Sequence, residues 1–287
     1  MLLHGASLEG DAMIKLVMND IDGVFGKFKK PDFPDQQDTL PYLDGLDKIK
    51  NIISAHKDRG VLHAACTGRA FHSIEPVMRY TGINAPSIFE HGTHIWIPRE
   101  ETHYRLVDKE LPQLIEPSKS LEEWIRALDD KLLFDQFPQA DIIRRRMENT
   151  HILTYEFRGV PTQAVYQALE LQLPKEIKEY LDQKLLTTIL SQSEIDGTPT
   201  GAIDVMPNLH KDTGVRHVLK AMQVRAEEVL GIEDSYHSGL PMMKEVGIVA
   251  CPSNSQGELK DYVRKRNGFI SDKPYADGWV QIMKTFT

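Results

Sequence analysis

The sequence predicts an α/β fold: a doubly wound parallel sheet with a separate α+β unit inserted between its two halves. Three observations carry that expectation. Short apolar runs, the pattern of strands buried on both faces of a parallel sheet, recur at Ile14–Met18, Val61–Cys66, Glu228–Ile232 and Val246–Ala250. Amphipathic helical patterns separate them, which is the alternation of βαβ units. Between residues 109 and 194 the pattern changes to polar amphipathic helices and an alternating strand, the mark of a different layer.

Each element follows from its local signals. Ile14–Met18 delivers Asn19-Asp20-Ile21-Asp22-Gly23, a strand end running into a glycine turn. A loop rich in Pro, Asp, Gln and Lys covers Lys29 to Pro41, ahead of a helical pattern from Leu43 to Lys57 that Arg59-Gly60 terminates. Val61–Cys66 is the second buried strand and closes at Thr67-Gly68-Arg69. A helix over Ser73–Thr81 leads to two strands, Pro86–Glu90 and His94–Ile97. The inserted unit holds a helix over Leu121–Lys131, a strand His151–Phe157, a helix Thr162–Gln172 and a strand Leu185–Leu190. Alternation then resumes with a strand Ala202–Val205, a helix Thr213–Met222 and the last two buried strands. The expected core is therefore discontinuous, residues 1–108 and 195–287, with 109–194 inserted.

Composition narrows the function. The chain has 287 residues, 41% apolar and 26% charged, with length enough for one large core or two modest ones. A net charge of −8 without long runs of one sign argues against a nucleic-acid or anionic-membrane surface and leaves small soluble ligands. Only Cys66 and Cys251 occur, which implies free thiols and a reducing compartment. No run approaches the roughly 18 apolar residues of a membrane span. The opening Met1–Gly10 is too short and acidic for a signal peptide, so a cytoplasmic location is expected.

Chemistry concentrates at strand ends and helix starts, where open α/β sheets collect ligands. Asp20 and Asp22 leave one side of an extended chain, and two neighbouring carboxylates repel unless a cation or a proton relieves them. Mg²⁺, a hard ion that bridges carboxylates to substrate phosphate, is the natural guest. Taken alone, Asp-x-Asp-Gly reads equally well as a solvated acidic turn. Asp20 is suited to attack phosphorus as a nucleophile, and Asp22 to protonate the leaving oxygen and later deprotonate water. Thr67 and Gly68 offer a hydroxyl and backbone N–H groups to phosphoryl oxygens. Lys211, opening a helix, can neutralise Asp20 and the transferring group. Asp234, after a buried strand, can complete a metal shell or cap a helix. Arg144-Arg145-Arg146 is either an anion grip or a solvated face, and Trp96, Trp124 and Tyr155 are sugar-stacking or core residues.

The order and spacing of these groups resemble the haloacid dehalogenase superfamily of hydrolases, in particular its Cof-like subgroup with an α/β cap. Asp20-Ile21-Asp22-Gly23-Val24 is similar to the first motif, Thr67-Gly68-Arg69 to the second, Lys211 to the third and Glu233-Asp234-Ser235 to the fourth. Ile88-Phe89-Glu90-His91-Gly92 and Ser271–Gly278 stand where two further turns of the subgroup fall. The resemblance implies a Rossmann-like core under a cap that chooses the substrate. It also implies Mg²⁺ held by the Asp20 carboxylate, the Asp22 carbonyl and Asp234, with Thr67 and Lys211 on the phosphoryl group. Gly23, Gly68, Arg69 and His237 are the expected substrate contacts. The implied activity is that of a phosphatase of small phosphorylated metabolites, sugar phosphates or phosphorylated glycosyl acids. A sugar phosphomutase or phosphotransferase is the near alternative, a sugar-phosphate-binding or regulatory protein the distant one. One departure stands out. The usual Gly-Asp-Ser-x-Asn-Asp becomes Glu233-Asp234-Ser235-Tyr236-His237-Ser238, which keeps one aspartate and loses the Asn-Asp pair. Ser238, His237 and Glu233 are the available substitutes.

Overall fold

The computed structural model describes residues 13–26, 45–145, 151–195 and 197–286. The polar loop expected at 29–41 and Arg146 lie outside the described residues. The chain begins with β1 (Leu16–Asn19), α1 (Leu46–Asp58), β2 (Leu62–Ala65) and α2 (Phe71–Thr81). Next come β3 (Ser87–Phe89), β4 (His94–Ile97), β5 (Thr102–Arg105) and α3 (Leu106–Glu110). A middle section holds α4 (Ile115–Ala127), α5 (Asp130–Phe134), β6 (Ile142–Arg145), β7 (Leu153–Arg158), α6 (Thr162–Gln172), α7 (Lys175–Asp182), β8 (Leu186–Ile195) and β9 (Thr198–Pro207). The chain finishes with α8 (Lys211–Met222), β10 (Val229–Ile232), α9 (Tyr236–Glu245), β11 (Ile248–Cys251), α10 (Gly257–Lys265), β12 (Phe269–Ile270) and α11 (Tyr275–Phe286).

The core is a five-stranded parallel sheet in the order β12-β11-β10-β1-β2. Its central strand β1 pairs in register with both neighbours, Leu16 opposite Val229 and Leu62. Strand alternation sends successive residues to opposite faces. Val17 packs with Ile49, Ile53 and Trp279 under α1, α2 and α11, whereas Leu16 and Met18 pack with Val215, Met242 and Leu259 under α8, α9 and α10. That two-sided burial explains why the strand carries no solvent-facing polar residue, and it confirms the doubly wound core. A small antiparallel sheet, β3-β4-β5, is attached to the β2 edge through the Cys66–Ile88 bridge.

The inserted layer is an antiparallel sheet in the order β6-β7-β9-β8, with its own core of Leu121, Tyr155, Phe157, Val165, Leu169, Ile203 and Val205. Here one sequence expectation is corrected. Ala202–Val205 does not return the chain to the parallel core; it lies in β9, paired to β8 and β7. The physical reason is the antiparallel pairing of β8 with β9, in which Ile195 lies opposite Thr198 and Gly197 takes φ +74°. β9 (Thr198–Pro207) thus completes the inserted sheet, and the core resumes at α8. Tyr155 is wholly buried in the inserted core, Trp96 is buried beside Phe71 and Trp124 packs at that core's edge, so all three aromatics serve packing.

Candidate active site

The carboxyl ends of β1, β2 and β10 meet at one point, with the start of α8 beside them. The Asp20 N–H continues the β1–β10 ladder to the Ile232 carbonyl at 2.9 Å, after which the chain turns tightly, the Phe25 N–H reaching the Ile21 carbonyl at 2.9 Å. This turn ends the extended geometry and sends the two aspartates different ways. Asp20 points into the protein, where Lys211 Nζ stands 3.2 Å from Oδ1. Asp22 is half exposed and accepts two hydrogen bonds from Arg69, at 2.6 and 2.9 Å. Arg69, expected on the substrate, therefore grips Asp22 in the bidentate geometry that fixes a carboxylate's orientation.

Lys211 is nearly fully buried at the first position of α8 and donates a second, shorter bond of 2.8 Å to Glu233 Oε2. Glu233 has no solvent exposure; its Oε1 accepts the backbone N–H groups of Asp234 and Ser235 at 3.1 and 3.2 Å. Carboxylate oxygens of Asp20, Glu233 and Asp234 come within 4.8 Å of one another. Burial, the Glu233 charge and Asp22 push the Asp20 carboxyl well above the usual range, against the pull of Lys211. Burial and the charges of Asp20 and Asp22 push Asp234 up to about 7. Burial alone would lower Lys211, but Asp20 and Glu233 outweigh it and hold the ammonium charged. One buried ammonium faces three carboxylates, and the excess negative charge calls for a cation. An all-oxygen donor set of this kind suits a hard divalent ion.

Gly23 adopts φ +73°, and a Cβ there would lie 1.9 Å from Asp234 Oδ2, so its role is to let that carboxylate pass close to the first turn. Thr67 is buried beside the site, its Oγ1 accepting the Arg69 N–H at 3.2 Å. The ring of His91 packs directly over Gly68. His237 is not brought in: it is exposed, whereas Ser235 and Ser238 face the cleft. Residues three apart on a helix share a face, and position 237 turns away from it.

The sequence reading missed His91 and the cap wall. Glu90 and His91 both take positive φ, 45° and 55°, as the turn after β3 folds back onto Thr67 and Arg69 through backbone bonds of 3.2 and 3.0 Å. Two non-glycine residues in that region store strain of the kind that clusters at functional sites. His91 Nε2 stands 3.7 Å from Asp204 Oδ2 on β9, and Thr154 donates to the other Asp204 oxygen at 2.6 Å. Burial and Lys211 lower His91 to about 3, so the imidazole is neutral. Thr154 and Glu156 from β7 with Ala202 and Asp204 from β9 thus roof a cleft of about 230 Å³ over Asp20, Thr67 and Lys211. The only sequence signals were the Glu90-His91-Gly92 turn and the alternation within β7 and β9.

Comparison with known proteins identifies the fold and the family. No curated protein sequence matches the chain. Among solved structures, protein 0175 of Thermoplasma acidophilum superposes with a TM-score of 0.63 at 17% identity, over 96% of this chain and 98% of its own. A sucrose-phosphatase from Synechocystis, solved with sucrose and phosphate, gives 0.59 at 15% identity over 96% and 98%. A phosphatase of the haloalkanoate superfamily from Bacteroides thetaiotaomicron gives 0.57 at 15% over 98% of both chains. At these identities the likeness concerns the fold. The family model of haloacid dehalogenase-like hydrolases matches residues 45–280, and the chain belongs to that family.

Proposed function

We propose that the protein is a Mg²⁺-dependent phosphatase of small phosphorylated metabolites, acting through an aspartyl-phosphate on Asp20. The observation that supports this most is the convergence of Asp20, Lys211 and Asp234 beneath Thr67 at the ends of three parallel strands. Asp20 and Asp234 are the residues that would hold the ion, with the Asp22 carbonyl as the resemblance implies. Bound there, Mg²⁺ would neutralise the carboxylates and polarise the phosphoryl oxygens.

Asp20 attacks phosphorus; the ester P–O bond breaks, and the leaving oxygen takes a proton from Asp22. Asp22 then accepts a proton from water as the water oxygen attacks the phospho-Asp20, releasing inorganic phosphate and restoring the Asp20 carboxylate. Arg69 keeps Asp22 aimed through both proton transfers. Lys211 and the Thr67 hydroxyl balance the charge that spreads over the phosphoryl oxygens, so catalysis is mainly positioning and neutralisation. The cleft under the β7–β9 roof fits a leaving group of sugar size, and sugar phosphates or phosphorylated glycosyl acids are the substrate class we assign. One of the structural neighbours is itself a sucrose-phosphatase. Asp20→Asn should lower turnover of a phosphate-ester panel at least ~1,000-fold while leaving the thermal transition intact. Turnover persisting in that variant would refute Asp20 as nucleophile.

A further inference from the structure

We propose that His91 and Asp204 form a hydroxyl-reading pair that selects the leaving group, so that the substrate carries a free alcohol beside its phosphate ester; this rests on the phosphatase reading of the same cleft. The two residues come from different parts of the fold. His91 belongs to the turn after β3 and Asp204 to β9 of the inserted sheet, and both line the cleft. His91 Nε2 stands 3.7 Å from Asp204 Oδ2, too far for a hydrogen bond between them. A single oxygen atom can nevertheless lie about 2.8 Å from both, within the ordinary range of such bonds.

The imidazole is neutral, and a neutral ring that turns Nε2 toward a carboxylate carries its proton on that nitrogen. The pair therefore presents one donor and one anionic acceptor across a gap of single-atom width. Among the common substituents of a phosphorylated metabolite, an alcohol is the group that accepts and donates through one atom. An ether or a carboxylate accepts from His91 but has no proton for Asp204, and the carboxylate is also repelled. An ammonium donates to Asp204 but cannot accept from His91. A bare carbon satisfies neither.

Both members are held in place. Thr154 donates to Asp204 Oδ1 at 2.6 Å, which fixes the rotation of the carboxylate with Oδ2 on the His91 side. His91 takes φ +55°, and its N–H reaches the Thr67 carbonyl at 3.2 Å. Its ring lies where a side chain at Gly68 would project, since a Cβ there would come within 2.4 Å of Nε2. Thr67 and Gly68 flank the phosphoryl position, so the hydroxyl read here is one close to the ester. Ala202, two residues before Asp204 on the same strand face, keeps the neighbouring roof clear for the rest of the leaving group. A hydroxyl bound between the two residues also ties the inserted sheet to the core, which joins recognition to closure of the cleft.

Three matched esters test the pair: 2-hydroxypropyl phosphate, n-propyl phosphate and 2-methoxypropyl phosphate. With Mg²⁺ and the full-length protein, kcat/KM for the hydroxyl ester should exceed that for the propyl ester by at least about tenfold, and the methoxy ester should do no better than the propyl one. His91→Asn suits the left-handed backbone at this position while withdrawing the ring, and Asp204→Ala removes the acceptor. Either variant should lower the hydroxyl-to-propyl ratio below about threefold. A ratio near one in the wild type, a methoxy ester as good as the hydroxyl ester, or a ratio unchanged in the folded variants would overturn the proposal. Should Asp204→Ala fail to fold, the wild-type series and His91→Asn decide it. A wild type that hydrolyses no phosphate ester would refute the phosphatase reading, and calorimetric affinities for the same three esters, read by the same ratios, would then decide the pair by itself.

Discussion

At the scale of single residues, the site depends on what is absent as much as on what is present. Gly23 lets the Asp234 carboxylate cross the first turn, and its φ of +73° is one an L side chain adopts at a cost of about 1–2 kcal/mol. Gly23→Ala adds that strain and drives a methyl into Asp234 Oδ2. The expected result is a loss of Mg²⁺ affinity of at least tenfold, read by calorimetry, with a stability loss of about 1–3 kcal/mol in urea melts. Unchanged Mg²⁺ affinity would show that Asp234 does not hold the ion. Asp20, Thr67, Lys211 and Asp234 were legible in the sequence because each closes a buried strand or opens a helix, and the topology of a parallel sheet brings such positions together. The partner of each was not legible. Arg69 was expected on the substrate and lies on Asp22, a pairing set by the turn after β1. Glu233 and His91 gain meaning only from Gly239 and Asp204, which face them from other elements.

At the scale of elements, the site is rigid because β1 is locked on both sides and at its end. Asn19, buried just before Asp20, donates to the Val17 and Ala64 carbonyls at 3.1 and 3.0 Å and accepts the Trp279 Nε1–H at 2.7 Å. That last bond pins α11 to the strand that carries the nucleophile. Trp279→Phe removes the donor, leaves Asn19 Oδ1 without it in the core and opens a void, which should cost about 2–4 kcal/mol. The urea midpoint should fall accordingly, with kcat of the folded variant within about threefold of wild type. The strands β1, β2, β10 and β11 and the helices α1, α2 and α8 around this lock were readable from periodicity, whereas α9 and α10 were not. β9 was misplaced because Ala202–Val205 is a short apolar run that looks alike in either sheet; only the Asp196-Gly197 hairpin signal separates the two readings. α7 escaped notice because Lys175–Asp182 is mostly polar and buries only Ile177. β5 escaped because Thr102–Arg105 has no fully buried residue to betray a strand.

At the scale of the whole molecule, three buried histidines tie folding to pH. His63 lies in the core against His56 and Trp279, His91 lines the cleft, and His94 packs on His151 where the small antiparallel sheet meets the inserted layer. Burial, with neighbouring positive groups, lowers each to about 3 from an ordinary 6.5. Below 6.5 the unfolded chain binds protons that the folded chain refuses, so their contribution is complete above that pH and is lost as pH falls from 6.5 toward 3. Each such group contributes a slope of about 1.4 kcal/mol per pH unit within that window. The three together remove about 6 kcal/mol by pH 5, comparable with the whole stability of an ordinary domain. The raised carboxyls of Asp20, Glu233 and Asp234 act in the opposite sense, since the folded chain binds their protons first as pH falls. A comparison of variants separates the two effects. His63→Leu keeps an apolar side chain against Trp279 and removes one titrating group far from the carboxylates. In urea melts at pH 7.5, 6 and 5, the stability difference between this variant and the wild type should shift in the variant's favour by about 2 kcal/mol between pH 7.5 and pH 5. A difference independent of pH would show that His63 titrates in the folded protein as it does in the unfolded chain.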